Sequence, residues 1–289
     1  MSRNFEDELT RLALKAGGSH KTRHDRVETA KRFHAHLQRH NIQVKSAEHI
    51  KTRYIVAYIE QRKTEVGLRT LQNEMAHIRG ILESAGKTKL AASEAISNQK
   101  LGIGGASRVG TKTACPDGKY HEILKVAMSR DAGVAATLQL QRTFGLRAQE
   151  AVEASKSLKT WEKQIAGGRP TISLTYGSKG GRPREILVLD REKALSVVKN
   201  AMKVAKEHNG HLINKPNLKS AMYYYTRETR IAGLAGEHSN HSLRYAWAQD
   251  CMKALEHNGI TREEALAQTS QYLGHGDGRG RYVERVYSR

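Results

Sequence analysis

The chain has 289 residues, 38% of them hydrophobic, a net charge of +20 and a sequence pI near 10.0. That length suits two cores better than one, and 49 Lys and Arg against 29 Asp and Glu, spread along the whole chain, point to a polyanionic partner, nucleic acid foremost. Two cysteines, Cys115 and Cys251, exclude a disulfide framework or a cysteine-built zinc site; no apolar run reaches the ~20 residues of a membrane span, and the polar, acidic start is no signal peptide, so a cytosolic protein is expected.

Residues 1–100 read as helices. Val27, Ala30, Phe33 and Leu37 recur at helical spacing, as do Ile50, Ile55, Tyr58 and Ile59; Leu71, Met75, Ile78 and Leu82 form the cleanest stripe, with Thr70 as its N-cap. The polar faces carry many cations, among them Lys21, Arg23, Arg26 and Arg69, and their number favours a DNA-facing side over plain solvated surface. From Ile96 to Gly118 glycines, Pro116 and basic residues replace the apolar periodicity, and residues 101–112 are expected to be a basic, glycine-rich linker.

A second domain is expected over 113–289. Tyr120, Ile123, Leu124 and Ala127 start one helix, and 134–146 forms another, ending in T-F-G-L-R. Ile172, Leu174 and Tyr176 alternate as a strand, 186–189 reads as its partner, and Gly177 to Pro183 forms the hairpin loop, with Arg182 and Arg184 beside it as further DNA contacts. Helices resume with Ala194, Val197, Val198, Ala201 and Val204 on one side, then over 218–232 with Met222 and Tyr225 inward. The fold class is mainly α with a small β-sheet: a helical N-terminal domain followed by an α+β domain.

The chemistry-bearing pieces are individually weak: an H-x-x-R pair, a G-L-R turn, a lysine in a glycine-rich hairpin, an L-G-H and late tyrosines each occur often without function. Their order is informative. T-F-G-L-R-A-Q-E with Arg147, S-K-G-G-R-P-R with Lys179, N-H-S-L-R with His241 and Arg244, Y-L-G-H with His275, and then a tyrosine, fall in one domain. This succession resembles the catalytic domain of tyrosine recombinases, the phage-integrase family, of the prophage or genomic-island type, and the N-terminal region is similar to that family's SAM-like core-binding domain. The resemblance implies site-specific DNA strand breakage and rejoining, for integration or excision of a mobile element, by Arg147, Lys179, His241, Arg244 and His275, with Glu150 orienting Arg147. The family's usual tyrosine spacing falls on Glu284; V-E-R-V-Y-S fits the tyrosine helix best with Tyr287 as nucleophile and an insertion in G-D-G-R-G, and Tyr282 is the alternative.

The residue types suit that chemistry. Two guanidiniums clamp the non-bridging oxygens on which phosphoryl transfer builds charge, His241 is the natural acid/base, His275 a donor to the phosphate, and a lysine can protonate the departing 5′ hydroxyl. No carboxylate cluster or P-loop is present, so neither metal nor cofactor is expected. The resemblance implies double-stranded DNA as partner, a homotetramer on DNA, a monomer when free, room for a DNA-bending or directionality factor, no membrane, and a bacterial cytoplasmic location on the nucleoid. Only two residues follow Tyr287, which puts the family's exchange of C-terminal tails in doubt. Two rivals share the features: a type IB topoisomerase-like strand transferase, and a degenerate integrase that only binds DNA.

Overall fold

The computed structural model describes residues 3–107 and 109–288, apart from the side chains of Arg3, Asn4 and Lys179. The chain divides into two compact units, Met1–Ser107 and Arg108–Arg289. The first is helical: α1 (Arg3–Lys15), α2 (His20–Arg39), α3 (Thr52–Lys63), α4 (Leu68–Ser84) and the single turn α5 (Thr88–Ala91). Its core is built from the periodic positions, with Phe33 and Leu37 of α2, Ile55, Tyr58 and Ile59 of α3, and Leu71, Met75, Ile78 and Leu82 of α4 all buried.

Ser19 caps α2 by accepting from the Thr22 amide. Gly67, not Thr70, precedes α4, because the stripe needs a further turn upstream to bring Leu71 inward. Two apolar residues of the expected linker also belong here. Leu101 and Ile103 are buried in the first core, and Gln72 and Arg69 of α4 hold the backbone of Ile103 and of Ala106 and Ser107. One carboxylate lies in this interior. Glu74 is 2% exposed and accepts from the Tyr58 hydroxyl at 2.8 Å and from Arg62 at 2.7 and 3.1 Å. Burial pushes its pKa up, but these donors win and hold it below the usual value.

The second unit holds α6 (Asp117–Arg130), α7 (Ala132–Phe144), α8 (Ala148–Val152), α9 (Leu158–Ala166), β1 (Thr171–Leu174), β2 (Arg184–Leu187), α10 (Arg191–Glu207), α11 (Leu218–Ile231), α12 (Asn240–His257), α13 (Arg262–Tyr272) and α14 (Gly280–Tyr287). α7 is apolar on nearly every side and is correspondingly central, packed by α6, α10 and α12. Asp131, Asp190 and Asn217 cap α7, α10 and α11 through the amides of Val134, Lys193 and Ser220. β1 and β2 form an antiparallel pair in the register Ile172↔Ile186 and Leu174↔Arg184. Ile172, Leu174 and Ile186 are buried, whereas Tyr176 lies past the strand, 49% exposed, its ring near the Lys156 ammonium.

Gly145 ends α7 in the left-handed region, with φ 59°, and its position is crowded as well. A Cβ there would lie 2.5 Å from the Trp247 ring of α12. Gly145→Ala is expected to lower stability by at least about 2 kcal/mol, from left-handed strain plus overpacking, as measured by urea denaturation. An unchanged midpoint would mean that α7 and α12 are less closely apposed.

Candidate active site

The site forms where the ends of α7, α12, α13 and α14 meet β2. Its centre is Glu150 in α8, fully buried. The carboxylate accepts from both terminal nitrogens of Arg184 at 2.7 Å each, from Arg147 Nη1 at 2.7 Å and from the Arg147 amide at 2.7 Å, and Arg244 Nη1 lies 3.9 Å away. Desolvation would raise its pKa, but Arg184 above all, then Arg244 and Arg147, hold it down at about 2.

Arg147 caps the start of α8 just after the Gly145 turn, and Arg244 opens the second turn of α12. Arg244 is 0% exposed; it donates to the Gly145 carbonyl at 2.5 Å and to the Leu273 carbonyl, and Arg147 reaches the same Leu273 oxygen at 3.4 Å. One carbonyl, two residues before His275, therefore draws the two guanidiniums together. Burial lowers the Arg244 pKa to about 10, which leaves it a cation at neutral pH. Among the described residues its Nε is buried without a hydrogen-bond partner.

His275 follows Gly274, whose φ of 69° makes the turn out of α13. Its Nε2 lies 3.0 Å from the Tyr287 hydroxyl. Tyr287 is 1% exposed and also packs against Tyr245, with ring centroids 4.6 Å apart. Tyr282 is 36% exposed, and its ring meets His275 edge-on at 4.9 Å. His241 stands farther off, its centroid 6.2 Å from that of Tyr287. It keeps an open edge, yet surrounding protein, then the charges of Arg244, Arg147 and Lys112, pull its pKa down to about 4 against a lesser pull from Glu150. Solvent at that edge moderates the shift, and its direction, toward a neutral ring, is what the chemistry uses. His275 is lowered to about 3, by burial first and then by Arg244, Arg147, Arg184 and His241.

The structure thus brings together Arg147, Glu150, His241, Arg244, His275 and Tyr287. The Lys179 side chain lies outside the described residues; its backbone sits in a short turn at the tip of the β1–β2 hairpin. Two expected DNA contacts are corrected. Arg184 faces inward, its side chain 7% exposed, because its register position places it on the buried side of β2. Arg26 is 9% exposed and donates to the carbonyls of Ala13 and Gly17, holding the turn after α1. Lys21, Arg23, Arg69 and Arg182 are exposed, with Lys21 paired to Asp25 and Arg69 tied to backbone.

Sequence reasoning missed two contributors. Lys112, in the expected linker, donates to the Gly236 carbonyl at 2.6 Å ahead of α12 and adds charge near His241. The signal for Arg184 was an arginine in phase with Ile186: on an inward strand face it requires a buried acid.

Among the described residues no group of three or more His, Cys, Asp or Glu could hold a metal ion, and no helix is long and apolar enough to cross a membrane.

Two outcomes follow from these charges. Glu150 has a folded pKa near 2 against 4.5 for the ordinary group, so its stabilisation is complete above pH 4.5 and is lost as pH falls toward 2. The shift corresponds to roughly 3 kcal/mol, so Glu150→Gln is expected to lower stability by about that much at neutral pH and to flatten the pH dependence across that window in denaturant titrations. Equal slopes for the two proteins would deny Glu150 this role. In NMR titrations the His241 and His275 rings are expected to remain neutral at pH ~5.5, where an imidazole of pKa about 6.5 is mostly charged; protonated rings there would remove the cationic environment described above.

An integrase family profile matches residues 102–250, and a phage-integrase N-terminal profile matches residues 1–91. No curated protein sequence matches the chain. Among solved structures, a lambda integrase dimer bound to a COC′ core site aligns at 18% identity with TM-score 0.61, covering 96% of this chain and 77% of that one. A lambda integrase tetramer bound to a Holliday junction aligns at 16% and 0.61, covering 95% and 74%. The XerH site-specific recombinase on palindromic difH, in a post-cleavage complex, aligns at 16% and 0.57, covering 91% and 75%. These likenesses are of fold; the profiles, which together reach from the first helix into α12, establish that the chain belongs to the phage-integrase family of tyrosine recombinases.

Proposed function

We propose that the chain is a site-specific DNA recombinase that cuts and rejoins strands through a 3′-phosphotyrosine bond made by Tyr287. The observation that carries this reading is the Tyr287 hydroxyl 3.0 Å from His275 Nε2, beside two guanidiniums drawn to one carbonyl. The Tyr287 oxygen attacks the scissile phosphorus, the bond from phosphorus to the 5′ oxygen breaks, and its electron pair leaves with that oxygen. The phenolic proton passes to His275 in the tautomer whose Nε2 carries no hydrogen; an incoming phosphate anion offsets the surrounding positive charge and raises the basicity of that nitrogen. This gives His275 the proton-accepting role expected of His241, which stands off the hydroxyl and serves as a donor to the phosphate.

Arg147 and Arg244 hold the non-bridging oxygens as charge builds there, and burial makes that electrostatic hold stronger than it would be in water. Lys179, by resemblance to the family, protonates the 5′ oxygen from the hairpin tip. Attack by another 5′ hydroxyl reverses the step and retains the bond energy, so neither ATP nor a metal enters the scheme. Exchange between two duplexes needs four cuts, hence four protomers on DNA, an arrangement consistent with the tetramer of lambda integrase on a Holliday junction. The reading carries with it a cytoplasmic location on bacterial DNA, and service to a mobile element.

Covalent trapping on nicked DNA bearing the element's own ends tests the roles. Wild type is expected to give a denaturant-stable adduct, Tyr287→Phe none, and Tyr282→Phe an adduct formed within about tenfold of the wild-type rate. Arg244→Ala is expected to slow the reaction at least ~100-fold. Loss with Tyr282→Phe alone would move the nucleophile; no adduct from wild type on a site it binds would favour a degenerate, DNA-binding integrase.

A further inference from the structure

Arg184 belongs to no step of that scheme, yet all three of its guanidinium nitrogens are engaged at the site. Both terminal nitrogens lie 2.7 Å from Glu150 oxygens, and its Nε donates to the Tyr272 carbonyl at 2.9 Å. A Cβ on Gly274, the residue before His275, would come within 2.9 Å of the Arg184 Cδ. The side chain thus lies under the turn that carries His275 and grips the carboxylate that Arg147 also uses. Three guanidiniums face one carboxylate.

We propose that Arg184 is a positioning residue that engages both oxygens of Glu150 and thereby keeps Arg147 and Arg244 available to an oxyanion. This rests on the recombinase reading of the same site. Arg147 spends Nη1 on Glu150 at 2.7 Å and only a long contact on Leu273, and Arg244 stays 3.9 Å from the carboxylate. Without Arg184, the freed lone pairs of Glu150 have Arg147 and Arg244 as their nearest cations. A guanidinium fork matches a carboxylate as well as it matches a phosphate, so the carboxylate then competes with the substrate for the clamp. Glu150 orients Arg147 only as long as a second arginine satisfies it. Arg184 comes from the strand that follows the Lys179 hairpin, so the same residue ties the base of that hairpin to the arginine pair.

A structural role alone predicts lost stability; the competition predicts a rescue. The test is a thermal-shift titration of the free protein with inorganic phosphate, with Arg147→Ala marking the share of the response that belongs to this site. Arg184→Met is expected to need roughly tenfold more phosphate for that share, and Arg184→Met with Glu150→Gln, which removes the competing charge, is expected to return toward wild type. If Arg184→Met does not fold, Arg184→Lys, which keeps the charge and loses the fork, is titrated instead with the same direction expected. The proposal is overturned if Arg147→Ala titrates like wild type, if the Arg184 variant does so, or if adding Glu150→Gln brings no recovery. The titration involves no strand cleavage, so a missing tyrosine adduct would count against the recombinase reading and leave this result standing on its own.

Discussion

The Glu150 carboxylate is the constraint on which the site depends. It comes from α8, a helix of five residues that could not persist alone, and it is fully buried. A bare carboxylate there would cost far more than α8 could repay, so the surrounding chain is obliged to supply cations. It does so from three places in the sequence: Arg147 at the start of α8, Arg184 on β2 and Arg244 on α12. Desolvation of the acid is thus the force that gathers arginines from segments nearly a hundred residues apart. The excess of cations over that one acid leaves the site positive, and burial first, with that positive field added, keeps both histidines neutral.

The Leu273 carbonyl plays the complementary part. It lies past the end of α13, where helix carbonyls lack amide partners, and it is satisfied by Arg147 and Arg244 together. The next two residues are Gly274 and His275. A single helix terminus therefore aligns the guanidinium pair and delivers the histidine, and Gly274 permits the turn because Arg184 fills the space a side chain would take.

Much of this was legible in the sequence. The stripes of α2, α3 and α4, the existence of the hairpin and the inward face of α10 follow from periodicity, and the order of G-L-R, the lysine hairpin, H-x-x-R and L-G-H points to the candidate site. What was not legible depends on tertiary pairing. Arg26 and Arg184 look like any basic residue in a strongly basic chain, and only burial reveals that one holds a turn and the other a carboxylate. Sequence alone assigns the acid/base role to His241, because H-x-x-R spacing places it beside Arg244 on α12, but that spacing says nothing of where the tyrosine hydroxyl ends, which is 3.0 Å from His275 Nε2. Leu101 and Ile103 were masked by the glycines around them, although both are core residues of the first unit.

Helix phase distinguishes the two late tyrosines. α14 buries Val283, Val286 and Tyr287, the i, i+3, i+4 pattern of a single inward stripe, and leaves Glu284 and Arg285 in solvent. Tyr282 stands one residue off that stripe, so its ring lies along the edge of His275 while its neighbour Val283 enters the core. A tyrosine at 284 would point outward on this helix. Before the helix begins, Gly276 and Gly278 adopt φ of 87° and 69°, and the loop they shape is where extra residues would cost least. With the phase fixed by two valines, the hydroxyl that meets the His275 nitrogen is the one four residues past Val283, whatever the length of the loop that precedes it.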